Sequence, residues 1–303
     1  MNNPILEEIK REFRQGTVLT KLIIINIGVF LLINIVDLIF FLFRIPEFNS
    51  LCGNPVSFLS YWISVPANLF QLALKPWTII TYMFVHEGLM HILLNMLVFY
   101  FSGKIFLLYL SEKKLLTTYL IGGFAGAALF IFSYNIFPIF QGSIDCALCL
   151  GASASVMAVI IAIATYVPEY SVNLVLLGPV RLKYIAIVYV LIDIISIKSS
   201  NAGGHIAHLG GALWGYFYIV RFKKGQDLSE FFERTIDFIS GVFKKNPKIK
   251  IVHKGNPDQR YSEEKISRQK KLDLILDKIS KSGYESLSRE EKDFLFKTSN
   301  NKF

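Results

Sequence analysis

Three short strings carry polar side chains inside apolar runs: His91 and Asn95 in HILLN, Ser153 in LGASASVMAV, and His205 and His208 in GGHIAHLGG. A serine hydroxyl becomes a nucleophile when an imidazole takes its proton. A histidine and an asparagine four residues apart share one face of a helix. Together these types allow acyl transfer, the chemistry of peptide hydrolysis. Polar groups in three separate apolar segments point to a site within a membrane, because each such burial costs free energy that packing alone does not demand.

Helical spacing sorts the candidates. His91 and Asn95 share a face, whereas His86, five residues before His91, would point about 140° away on a continuous helix. The HEGLMH string is one residue too long for a zinc helix, which needs its histidines at i and i+4. A metalloprotease is therefore set aside, and no metal or cofactor is expected. Further on, Gly204, His208, Gly211 and Gly215 fall on one side of a helix, with His205 turned about 60° from His208. The run at 148–167 presents Gly151, Ala154, Ala158 and Ala162. Small residues on facing stripes let backbones approach closely, which would carry Nε2 of His208 toward Oγ of Ser153. Ordinary membrane packing is the competing reading of each string taken singly. The polar clusters at one expected depth favour a site.

Composition sets the class. The 303 residues are 53% hydrophobic and 18% charged, and several apolar runs approach the roughly 20 residues that a bilayer requires. The expected fold is an all-α membrane protein with six spans at 22–43, 79–101, 115–137, 148–167, 182–197 and 204–222. The net charge of +9 does not call for nucleic acid, because the basic residues punctuate the apolar runs or lie in the tail. Lys10, Arg11, Arg14, Lys21, Lys104, Lys113, Lys114, Arg181, Lys183, Arg221, Lys223 and Lys224 would share one side. The positive-inside bias places both termini in the cytoplasm.

The remaining segments are read around this bundle. Residues 1–21 form a cytoplasmic amphipathic segment at the membrane surface, with neither a signal-peptide core nor a transit-peptide composition. Asn26, Asn34 and Asp37 in the first span are expected as polar glue between helices. Residues 44–77, with Pro46, Pro55, Pro66 and Pro76, read as a long loop partly in the outer leaflet. Cys52, Cys146 and Cys149 would lie on the outer side, where Cys52 could pair with one of the others, although buried free thiols are the commoner state. Asp193, near the outer end of the fifth span, is expected to be capping or hydrated. Residues 223–260 combine an amphipathic segment with a basic linker suited to anionic lipid. Residues 261–303 read as a small cytoplasmic module of two short helices about Gly283, the second opened by a Ser288/Glu291 capping box.

With these motifs in hand, the chain resembles the rhomboid family of intramembrane serine proteases, in its basic form of six transmembrane helices. The resemblance covers roughly 22–222 and rests on HxxxN at His91 and Asn95, GxSx at Gly151 and Ser153, and HxxGxxxG at His208, Gly211 and Gly215. It implies a Ser153/His208 dyad without an aspartate. His91 and Asn95 would join the Ser153 backbone N–H at the oxyanion, and Gly151, Ala154, Gly211 and Gly215 would allow close helix packing. Substrates would be membrane proteins cut in or near a transmembrane segment, and the setting the inner (plasma) membrane of a bacterium. The C-terminal module resembles one found on some bacterial rhomboids, with an unknown partner. Three positions depart from the family pattern. Ala154 replaces a common glycine, Met157 replaces a ring beneath the histidine, and Thr78 replaces the arginine after Trp77, which puts loop anchoring in question. The alternative is a catalytically silent relative that binds transmembrane helices. A channel or transporter is disfavoured, because no charged pore ring or inverted repeat is visible.

Overall fold

A computed structural model describes residues 16–45, 48–49, 55–174, 178–198, 201–235, 271–272, 274–275, 278–279, 281 and 283–300. The chain divides into two compact units, Met1–Phe243 and Lys244–Phe303. Among the described residues, six long helices build the first: α1 (Val18–Leu42), α2 (Leu89–Tyr109), α3 (Glu112–Ile136), α4 (Ser153–Tyr166), α5 (Leu182–Ser196) and α6 (Ala202–Lys223). By length and composition α1, α2 and α3 can each cross a membrane.

The fourth helix is at the centre. Every residue from Ala154 to Ala164 is buried, as expected of a helix that is apolar all round. Its 14 residues rise about 21 Å, short of the roughly 30 Å hydrocarbon core. By contrast α1 leaves Leu31, Leu32, Ile35, Leu38 and Phe41 exposed, a surface that only a lipid-like solvent accommodates.

Two expected boundaries are corrected. The second span begins at Leu89, ten residues later than the apolar run. Thr78–Thr81 and Tyr82–Phe84 make separate short turns, and Val85 and Gly88 are extended. The fourth begins at Ser153, because Leu148–Cys149 pairs antiparallel with Val65–Pro66. Gly151 N–H then donates to the Tyr82 carbonyl at 2.9 Å. Hydropathy cannot separate such an extended apolar stretch from the helix that it enters.

The 44–77 stretch is more ordered than a plain loop. Its described part holds helices Phe58–Ile63 and Leu69–Leu74. The second is capped by Asn68, whose Oδ1 accepts from the Phe70 and Gln71 N–H groups. Lys75 is buried here, its Nζ 2.8 Å from the Tyr61 carbonyl and 3.7 Å from the Tyr61 ring centroid. Burial lowers its pKa from the ordinary lysine value. Trp77 Nε1 donates to the Trp62 carbonyl at 2.8 Å. The loop is thus anchored by a cation two residues before Trp77, where the sequence pattern lacked one at Thr78.

Polar contacts tie the opposite end. The Val18 N–H donates to Glu112 Oε2 at 2.8 Å, and Lys223 Nζ to the Thr165 carbonyl at 2.8 Å. Lys114 pairs with Asp227 and Glu233, and Glu169 with Arg181 and Lys183. Lys114, Arg181, Lys183 and Lys223 therefore lie at one end of the bundle. In α1, Asn26 is glue in the sense expected, its Nδ2 reaching Tyr119 Oη of α3 at 3.3 Å. Asp37 accepts from Ser57 Oγ at 2.6 Å. Asn34 departs from that reading, because its amide donates to Phe30 O in its own helix, the cheapest way to satisfy a polar group facing lipid. Cys146 is disulfide-bonded and Cys149 is a free buried thiol; Cys52 lies outside the described residues.

The second unit contains a helix at Arg289–Asn300, preceded by the turn Tyr284–Ser286 and by Gly283 at φ 77°. Ser288 N–H donates to Glu291 Oε2 at 2.7 Å, and Glu291 N–H to Ser288 Oγ at 3.3 Å, the reciprocal bonds of a capping box. Residues 1–15 and 236–270, which hold most of the amphipathic N-terminal segment and the basic linker, lie outside the described residues.

Candidate active site

Ser153 is the first residue of α4. A helix leaves its first N–H groups without intrahelical acceptors, so the hydroxyl stands beside donors able to face negative charge. Gly151 makes this turn possible, with φ 120°, a conformation that side-chain-bearing residues rarely adopt. A Cβ there would lie 3.1 Å from His91 Nε2 and 3.4 Å from Ser153 Oγ. The glycine thus marks the point on which the serine and the α2 histidine converge. Ser155, the other serine of GASAS, is fully buried. A Cβ on Gly123 of α3 would lie 2.7 Å from its Oγ, so Ser155 faces the helix interior of the bundle.

Close backbone contact brings α6 alongside. A Cβ at Gly211 would lie 2.0 Å from the Ala154 carbonyl oxygen, and one at Gly215 would lie 2.3 Å from that of Ala158. The same pairing recurs four residues on, so the two helices run parallel in one register. That register sets His208, three residues before Gly211, level with the start of α4. Gly204 belongs elsewhere, because a Cβ there would meet the Asn201 side chain at 2.5 Å, the residue that caps α6.

Two expectations about the histidines are corrected. His86 lies before Gly88, outside α2, so a helical angle does not describe it. Its ring is buried and edge-on to His91, centroids 5.0 Å apart. His205 is not separated from His208 by its 60° turn. Both Nδ1 atoms lie 2.8 Å from Oδ1 of Asp193 on α5, since residues at i and i+3 are neighbours on a helix surface.

Asp193 itself is only 4% exposed, so it neither caps α5 nor sits in water. The signal that could have found it lies in the sequence: a carboxylate in an apolar run must be paired, and its partners are histidines or cations. Its Oδ2 has no hydrogen-bond partner among the described residues. Asp193, His205 and His208 offer three ligand atoms within 4.8 Å of one another, a donor set that a divalent cation can use. The two short bonds from imidazole to carboxylate already account for their convergence.

His91 is half-buried near the start of α2. Asn95, one turn below, is half-buried and donates through Nδ2 to the His91 carbonyl at 2.9 Å. One amide hydrogen is thereby held within the helix and the other is left for a second acceptor. Met157 is buried in α4.

Comparison with known proteins follows the same segment of chain. The rhomboid domain family model matches residues 73–224, half of the chain. A family described only as of unknown function matches residues 256–301. Over 141 residues the chain is 33% identical to the presenilin-associated rhomboid-like protein A, mitochondrial, of Danio rerio, a match covering 45% of this chain and 35% of the relative. The chain therefore spans only about a third of that relative's length.

Proposed function

The chain belongs to the rhomboid family, and from that premise we propose that it is an intramembrane serine endopeptidase acting on membrane proteins in or near their transmembrane segments. The observation that carries the reading is the meeting of α4 and α6. Its register supports a pairing of the serine at the start of α4 with a histidine whose Nδ1 is already engaged by a carboxylate. In the neutral imidazole that engagement assigns the proton to Nδ1 and leaves Nε2 as the acceptor.

In this mechanism Nε2 of His208 takes the proton of Ser153 as Oγ attacks the scissile carbonyl. The carbonyl oxygen gains negative charge and is met by the Ser153 backbone N–H, with His91 and Asn95 as side-chain donors. His208 returns the proton to the leaving amine, and the C–N bond breaks to give an acyl-enzyme. Water then attacks the ester with His208 again as base, releasing the acid and restoring the serine. None of these steps requires a metal or cofactor.

Location belongs to the same proposal: a multi-pass protein of a bacterial inner membrane, its basic end and both termini in the cytoplasm. The clustering of Lys114, Arg181, Lys183 and Lys223 at one end supports that orientation. The test is reconstitution in liposomes with a reporter carrying a transmembrane segment, together with labelling by a fluorophosphonate. Cleavage and labelling by the wild type, both lost in Ser153→Ala, are expected. A folded wild type that does neither, yet retains the reporter helix, would establish the silent binder instead.

A further inference from the structure

We infer that Asp193 is a positioning residue for His208, so that the Ser153/His208 pair is oriented by a carboxylate on α5 that His205 braces. This inference rests on the protease reading above and deepens it.

Four observations converge. Asp193 and His208 lie on different helices, so their 2.8 Å contact fixes the imidazole against a neighbouring helix and not merely against its own. The carboxylate is 4% exposed, and a carboxylate buried without a partner is strongly destabilising. It is retained in an apolar run, LIDIIS, where leucine would pack without that cost. Its Oδ1 lies 2.8 Å from both imidazole Nδ1 atoms, and such donors are what a buried carboxylate oxygen needs. Finally, bonding at Nδ1 leaves Nε2 as the ring nitrogen free to take up a proton. Without an anchor at Nδ1, either tautomer and either ring orientation could form.

The role of His205 follows from the shared oxygen. It touches neither Ser153 nor the oxyanion donors in any described contact, and it bonds the same Oδ1 as His208, fixing where His208 can donate. During attack His208 becomes an imidazolium. Asp193 then faces a full positive charge at hydrogen-bond distance, while the proton stays on the ring.

The experiment compares wild type, Ser153→Ala, Asp193→Ala, Asp193→Glu and His205→Ala in the same liposomes, reading kcat and KM separately, with melting temperature as a fold control. The expected result for Asp193→Ala is a fall in kcat of about 10²- to 10⁴-fold with KM little changed, by the scale seen when a histidine loses its orienting carboxylate. Asp193→Glu should recover part of that loss, and His205→Ala should lower kcat less than Asp193→Ala. A folded Asp193→Ala variant with wild-type kcat, beside an inactive Ser153→Ala, overturns the positioning role and leaves the protease reading standing. So does a loss of kcat that Asp193→Glu does not relieve and that tracks loss of folded protein. A stoichiometric divalent ion in the purified wild type, absent from Asp193→Ala, makes the three residues a metal site and also overturns it. A wild type that neither cleaves nor labels overturns both readings together.

Discussion

A Cβ placed on Gly211 would stand 2.0 Å from the carbonyl oxygen of Ala154. No side chain fits between α4 and α6 at that point, and the helices owe their register to its absence. Because Ser153 directly precedes Ala154 and His208 lies three residues before Gly211, this contact also sets how far apart the two candidate catalytic groups stand.

Gly211→Ala is expected to push α6 from α4, at a cost of about 1–3 kcal/mol or more from overpacking, with activity falling further than stability. Gly28→Ala in α1, where a Cβ meets nothing within 4 Å, is the control and should be neutral. Melting temperature and turnover of both variants in one detergent check this. Equal turnover in the two would show that the α4–α6 spacing does not govern the chemistry.

The two serines of GASAS should separate cleanly. Ser153→Ala is expected to abolish fluorophosphonate labelling, whereas Ser155→Ala should still label, because its hydroxyl is buried against α3. Mass mapping of the labelled peptide decides between them, and label on Ser155 would displace Ser153 as nucleophile.

His91→Ala and Asn95→Ala are expected to slow turnover about 10²- to 10³-fold, the usual cost of one oxyanion donor, while leaving Ser153 open to covalent labelling. Asn95 already bonds the His91 carbonyl, so its removal should have the smaller effect on transition-state charge. Melting temperature measured alongside separates the roles: activity lost only in proportion to folded protein would make either residue a structural brace.

Lys75→Met removes the ammonium from the Tyr61 carbonyl and ring. A hydrogen bond from a charged donor contributes about 1.5–3 kcal/mol, so the variant should melt earlier. Amide exchange should quicken around Tyr61–Ile63 while α4 stays protected. Unchanged exchange there would mean that the bonds from Trp77 to Trp62 and from Thr81 to Ile63 hold the loop without Lys75.

In the second unit, the hydrogen bond from Lys278 holds Glu291 below the usual carboxylate pKa. A depressed carboxylate contributes stability above its unfolded value of 4.5, and that contribution is lost as pH falls through the lower folded value. Helicity of the intact protein's tail, followed by NMR of its Ser288–Asn300 amides, should hold from neutral pH to about 4.5 and decline below it. Glu291→Gln should flatten that decline.

Several features are legible in the amino-acid sequence by itself. The HILLN, GASAS and HIAHLGG strings stand out because polar atoms in apolar runs are costly whatever the fold, and the small-residue stripes of α4 and α6 because helical period is a local property. The capping box at Ser288 and Glu291 is local too, its two partners three residues apart. The tertiary structure decides what depends on distant partners. Leu148–Cys149 becomes extended by pairing with Val65–Pro66, across more than eighty residues of chain, which moves the start of α4 to Ser153 itself. Asn26 and Asn34 both donate to a carbonyl of their own helix, but Asn26 also reaches Tyr119 of α3. Asp193 reads as a hydrated end in sequence because nothing in its own segment pairs with it. Its partners lie on the next helix, and only the packing of α5 against α6 brings a buried carboxylate between two imidazoles.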